Sequence, residues 1–415
     1  MSVFISNNKG HKFLFFLLIA PLLPALVKSI ILSFGDISSY YQLYYFIGYE
    51  YGFGGRKLLG TIFCNLLPYY VGHHQLLPII WGINLVFLIL FFWFITKGLT
   101  HASSYGIKSI VLIIYASWFV SPFSIANYYS QGVSIMFPEI WSMSLILLFI
   151  IIYYYAHNKW WYYLLTLLIC ISGCLIHHVF CCLFFPFVFS VIITDIISSY
   201  NNSNHEALNK TILYGVICLL ITMCFICVWL FSTMNISLDS LYETICQRTD
   251  SNVCSHEKDA LIQMYFMSNN ENTSNISTFF YIRVIELFLT IIITSPLIVL
   301  LFIPWFIAFK NTSSKTNKWK YFLASTIPTV LHIPIYCFAI DYGRWEYAWF
   351  FNYICLIILY VWNGDTGIIE ALIKIKEWTK NHIILFVCVF MYIAILPASS
   401  AWYIPEIHKL AIHFL

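Results

Sequence analysis

Leu77 to Thr96 reads LPIIWGINLVFLILFFWFIT, twenty residues without one ionisable side chain. Wound as a helix at 1.5 Å per residue, the stretch reaches about 30 Å, the depth of a bilayer's hydrocarbon core. Ten further apolar runs accompany it, at 13–34, 109–126, 140–156, 162–177, 179–197, 211–232, 280–308, 321–340, 347–362 and 383–400. Of 415 residues, 61% are hydrophobic and 9% are Asp, Glu, Lys or Arg, against roughly 25% charged in a soluble domain. A soluble fold of this size has no interior large enough for that much apolar surface. The sequence predicts an all-α polytopic membrane protein, a single integral membrane domain over 1–415 with about eleven transmembrane helices.

Leu58–Val71 is a shorter apolar stretch that contains Pro68 and follows a glycine-rich turn, so it reads as a re-entrant or interfacial helix. The one long polar segment, 233–278, is expected to be an extracytoplasmic loop within the domain. Most of the 13 cysteines lie inside apolar runs, where they serve as small hydrophobes. Cys246 and Cys254 lie in the long loop instead, where an oxidising compartment would allow them to pair. Nothing in the composition indicates a nucleic-acid partner, a cofactor or a metal.

Charge orients the chain. With the N-terminus in the cytoplasm and Leu58–Val71 not spanning, the inner segments hold Lys9, Lys12, Lys97, Lys108, Lys159, Lys210, Lys310, Lys315, Lys318, Lys320, Lys374, Lys376 and Lys380. The bias obeys the positive-inside rule. All four arginines, Arg56, Arg248, Arg283 and Arg344, then fall on the outer side. Arginine offers a rigid fork that grips phosphate or carboxylate at two points, which lysine does not.

Ionisable residues near the membrane are functional candidates, because a lone charge there is costly. The first external loop reads Gly48-Tyr49-Glu50-Tyr51-Gly52-Phe53-Gly54-Gly55-Arg56-Lys57. Its glycines permit positive φ and an anion-binding nest, with Arg56 and Lys57 at the start of the short helix that follows. That makes Arg56 and Lys57 candidates for binding a diphosphate; a glycine hinge with a basic anchor is the plainer alternative. The patch Asp341-Tyr342-Gly343-Arg344-Trp345-Glu346 suits a sugar, with Arg344 on its phosphate, Asp341 orienting, and Tyr342 and Trp345 as stacking surfaces. An Asp341–Arg344 pair at a helix start would explain the same residues without a ligand. Arg283 is the third arginine candidate. Four residues are candidates for taking a proton from an acceptor hydroxyl: His178, His177, Glu139 and Asp36. On a continuous helix His177 and His178 would also share faces with Cys181 and Cys182.

Ten to twelve helices, one large external loop in the second half, external arginines and a lysine-studded inner face resemble the Wzy-type polymerases of bacterial surface polysaccharides. The resemblance is architectural and covers the whole chain. The Arg-x10-Gly spacing of some members is absent, since Leu67 and Cys355 stand at those places after Arg56 and Arg344. The resemblance implies metal-independent transfer of an undecaprenyl-diphosphate-linked glycan onto another lipid-linked repeat unit, as in O-antigen synthesis. It implies the bacterial cytoplasmic (inner) membrane, with a flippase and a chain-length regulator as further partners. Two alternatives stay open. One is a C-superfamily glycosyltransferase that uses a polyprenyl-phosphate sugar and Asp36; the other is a polysaccharide or lipid transporter.

Overall fold

The computed structural model describes residues 22–33, 39–66, 73–130, 138–157, 159–200, 204–248, 258, 261–266, 269–338, 342–396 and 405–413. Every regular element among them is helical. Helix α1 (Leu22–Ser33) leads to the short α2 (Ser39–Phe46), a 3-10 turn at Tyr49–Tyr51 and α3 (Leu58–Leu66). At nine residues, α3 covers only about 14 Å, less than half of a hydrocarbon core. Helix α4 (His73–Ser104) contains the twenty-residue run Leu77 to Thr96. It turns at Gly106 into α5 (Lys108–Phe119), followed by the short α6 (Ile125–Ser130).

Two hairpins follow: α7 (Pro138–Ala156) with α8 (Trp160–Ile176), then the broken pair α9 (Phe180–Leu183) and α10 (Phe185–Tyr200) with α11 (Asn204–Leu230). The long polar segment carries α12 (Leu238–Arg248) and a π turn at Ile262–Phe266. Helix α13 (Asn269–Asn311) packs against α14 (Lys315–Val330). The chain then forms α15 (Ile333–Phe338), α16 (Tyr342–Trp362), α17 (Thr366–Asn381), α18 (Ile383–Ala394) and α19 (Pro405–His413).

Five of these helices, α4, α7, α11, α13 and α16, are long and apolar enough to cross a membrane. This is the architecture of a multi-pass membrane protein. Several expected runs are broken: 109–126 at Val120–Ser124, 179–197 at Phe184, and 321–340 at Leu331–His332. Prolines sit beside the first two breaks, Pro122 and Pro186, and cannot donate to a continuing helical ladder. The 233–278 segment is likewise partly helical, because α13 begins at Asn269.

Helix α16 is the pillar of the bundle. The span Trp345–Trp362 is 94% buried, against 22% for His205–Leu230 in α11, which turns most of its apolar surface outward. Phe351 of α16 stacks on Phe91 of α4, which in turn meets Tyr115 and Trp118 of α5. Successive hairpins run antiparallel, so the turns after α4, α7, α13 and α16 gather at one end. There Gly106 and Gly364, with φ of 69° and 70°, close α4 and α16 with the same pair of reversed backbone bonds. Lysines dominate this end. Lys320 pairs with Asp365 at 2.5 Å, Lys376 donates to the carbonyl of Gly106 at 2.7 Å, and Lys210 pairs with Asp195 at 3.1 Å. The opposite end carries the glycine loop, the His177–His178 turn, the exit from α11 and the first turns of α16.

Candidate functional site at the arginine-bearing end

The glycine loop is stitched to the chain leaving α11. Thr233 N–H donates to the Phe53 carbonyl at 2.7 Å and Asn235 N–H to the Tyr51 carbonyl at 2.9 Å. Gly52 makes this approach possible: its φ is +121°, and a Cβ there would stand 2.4 Å from the Thr233 carbonyl oxygen. Lys57 completes the seam. Its side chain is fully buried, and its ammonium donates to the carbonyls of Thr233 (2.9 Å), Gly52 (3.0 Å) and Phe53 (3.4 Å). Burial pushes Lys57 down to about 8, opposed by the nearby Glu50 carboxylate. Lys57, expected to bind a diphosphate, spends its protons on the loop's own backbone. It acts as a brace.

Arg56 stands beside it in a left-handed conformation, φ 67°, unusual for a side-chain-bearing residue. The Tyr265 hydroxyl donates to its carbonyl at 3.2 Å, and its guanidinium lies 5.9 Å from the centre of the Tyr44 ring. His178 faces the same loop, for a Cβ on Gly55 would come within 3.0 Å of its Nδ1. Three rings form a stack here: Tyr44 on His177 at 5.8 Å, and His177 on His178 at 5.2 Å. Trp229 of α11 meets His178 edge-on. The structure thus brings together Arg56, His177 and His178, three of the residues predicted from sequence.

The two histidines lie in a break between α8 and α9. His177 is extended (φ −154°, ψ 112°), and its Nδ1 accepts the Val179 N–H at 3.2 Å. The expected pairing of His177 with Cys181 and of His178 with Cys182 on one helical face therefore does not form. Burial, with the Arg56 charge second, pushes His178 down to about 3. At neutral pH its imidazole is uncharged and a weak proton acceptor.

Glu139 is buried in the first turn of α7, where the helix dipole favours a carboxylate. It lies on the Tyr45 side of α2, where Trp141 donates to the Tyr45 hydroxyl at 3.2 Å. Adjacent tyrosines of α2 thus face different candidates: Tyr44 the histidines, Tyr45 Glu139. Asp36 and Asp341 lie outside the described residues. Arg283, Tyr342 and Arg344 are placed as backbone within α13 and α16. Trp345, expected to stack on a sugar, is 2% exposed and belongs to the core. It is a packing residue.

A second polar group was not singled out from the sequence. Glu286 of α13 and Glu346 of α16 are buried, and their carboxylates repel one another. His408 of α19 donates to Glu286. A charge inside the 280–308 run was the available signal for Glu286. Glu346 lay inside the quoted patch, beside the arginine that drew the attention. The long loop adds a small cluster of its own. Leu241, Ile245 and Leu261 bury themselves against Leu43 and Ile47, directly over the glycine loop. Cys246 of α12 is disulfide-bonded; Cys254, the partner expected from sequence, lies outside the described residues. No protein-family model matches this chain, and no curated protein or solved structure matches it either.

Proposed function

We propose that this protein polymerises undecaprenyl-diphosphate-linked oligosaccharide repeat units into surface polysaccharide, at the outer face of the bacterial cytoplasmic membrane. The observation that carries the reading is Arg56, held at the tip of a braced glycine loop beside the Tyr44–His177–His178 stack. In the transfer, an acceptor hydroxyl attacks the anomeric carbon of the donor. The bond from that carbon to the diphosphate oxygen breaks, and undecaprenyl diphosphate leaves with its electrons. Negative charge grows on the leaving oxygen. A guanidinium placed in advance at that point stabilises the transition state more than the ground state. The aromatic stack provides flat faces for sugar rings, and the α12 cluster over the loop sets a wall that excludes water. About eleven spans with the N-terminus in the cytoplasm would place this end outside, where lipid-linked units arrive from a flippase and chain length is regulated.

A deletion strain complemented with wild-type protein is expected to show a long polysaccharide ladder on a gel, while the empty strain retains only the single repeat unit. Arg56→Ala should lower chain extension about 100-fold at unchanged membrane abundance, the scale of losing one charge-stabilising donor. Arg56→Lys should recover little of it, for lack of the bidentate fork. Extension in EDTA-treated membranes should persist, whereas a metal-dependent transferase would stop. Loss of even the single repeat unit on deletion would mean a flippase or an earlier transferase, and an unchanged ladder would rule out polymerisation.

A further inference from the structure

A polymerase of this kind holds two lipid-linked chains at once, and the Arg56 group accounts for one of them. The buried acidic group on α13 and α16 has the placement of the other. Glu286 is 3% exposed and Glu346 6% exposed. Burying carboxylates in an apolar bundle is costly unless each is paired. Glu286 has His408 as its partner. Glu346 makes no hydrogen bond or ion pair among the described residues, although Glu286 stands close enough to repel it. A buried carboxylate with no donor among the described residues, at the end of a membrane helix, is a group waiting for one, and a hydroxyl is such a donor.

The placement of neighbouring residues agrees. Arg283 lies one helical turn before Glu286 on α13, and Arg344 two residues before Glu346 on α16. Both helices run from the arginine-bearing end toward the lysine-bearing end, so both arginines sit outward of the carboxylates. The group also lies toward the same end of the bundle as the histidine stack. Asn352 of α16 donates to the Leu183 carbonyl of α9 at 2.7 Å. Glu346 stands six residues, about 9 Å, back along α16 from that bond, and the His177–His178 turn leads directly into α9. Of the bases expected from sequence, His178 is an uncharged and weakly basic imidazole beside Arg56.

We propose that Glu346, set against Glu286 and His408, is the catalytic base that takes the proton of the acceptor hydroxyl, which makes this group the acceptor side of the site. The inference rests on the polymerase reading above. As the acceptor oxygen bonds to the anomeric carbon, its proton passes to a Glu346 carboxylate oxygen. The electron pair of the broken carbon–oxygen bond leaves with undecaprenyl diphosphate at the Arg56 side. Glu286 and His408 are positioning residues: they act on Glu346 through charge and touch no reacting atom.

The test uses the same deletion strain and full-length protein. Glu346→Gln keeps the shape but not the basicity, and should cut chain extension by about 100-fold or more, as expected for a lost general base, at wild-type membrane abundance. Glu346→Asp should recover part of it. A wild-type ladder from Glu346→Gln would overturn the inference and leave the polymerase reading standing. No change of the ladder on deleting the whole gene would instead defeat that reading. Should Glu346→Gln fail to accumulate, wild-type membranes treated with dicyclohexylcarbodiimide, a lipid-soluble reagent for buried carboxyls, decide the matter. Modification of Glu346 found by mass spectrometry, with loss of chain extension in step, is the expected result. No modification there, or modification with extension intact, would overturn the assignment.

Discussion

A buried lysine is uncommon enough that its partners define its role. Lys57 donates to three backbone carbonyls on both sides of the seam; removing the ammonium takes this donor from the Gly52 and Thr233 carbonyls, while Phe53 keeps the Thr233 N–H. Lys57→Met should cost about 2–4 kcal/mol, the scale of two buried acceptors losing their donor. The detergent-solubilised protein should unfold at a correspondingly lower temperature. The pH dependence has a defined sign. Burial holds Lys57 at about 8 in the folded protein, against 10.5 when free. Between those values the unfolded chain binds more protons, so stability rises with pH there. The margin of wild type over Lys57→Met should widen from pH 8 to pH 10, and a narrowing margin would contradict the assigned cause. Residue types at this scale were legible: the glycines, Arg56 and the two histidines all stood out in the sequence. The division of labour between Arg56 and Lys57 did not, because it depends on Thr233, which local sequence does not bring near.

Helices reveal where pattern reading stops. Uninterrupted apolar sequence hides breaks, since buried helix and buried turn are equally apolar; 109–126, 179–197 and 321–340 each read as one run, yet each is broken. Helix α17 was missed for the opposite reason. Its Lys374, Lys376 and Lys380 mark only an inner segment between apolar runs, while Ile368, Leu372 and Ile375 bury one face and Asp365 caps its start at 3.0 Å from the Ile368 N–H. Glu286 and Glu346 were obscured likewise, because the pair exists only once α13 and α16 lie side by side. Helix α12 lays its apolar face on Leu43 and Ile47. Leu241→Asp should release it, at about 3 kcal/mol for a lost core leucine, and open 231–268 to protease. Cleavage of the variant but not of wild type, in right-side-out vesicles, is the expected outcome; equal resistance would deny that the cluster anchors the loop.

At the scale of the molecule, composition alone established the membrane class, and the lysine bias sorted the turns into two sets that the hairpins indeed place at opposite ends. Reporter fusions give that asymmetry an absolute direction. Green fluorescent protein joined after Thr312 should fluoresce, and alkaline phosphatase joined after Met234 should be active; the reverse pattern would invert the whole assignment and remove both proposed half-sites from the outer face.

The burial of α16 bears on how the protein is made. Its span has a mean hydropathy of 1.2, against 2.4 to 2.6 for those in α4, α11 and α13, and it contains Glu346 and Asn352. Lipid alone offers such a segment little reason to leave the translocon. Helices synthesised earlier must already be waiting to receive it, with Phe91 of α4 and Leu183 of α9 among the surfaces it joins. Insertion of the central helix is therefore an act of tertiary folding, and assembly of the arginine-bearing end comes late in biogenesis, after most of the chain has entered the membrane.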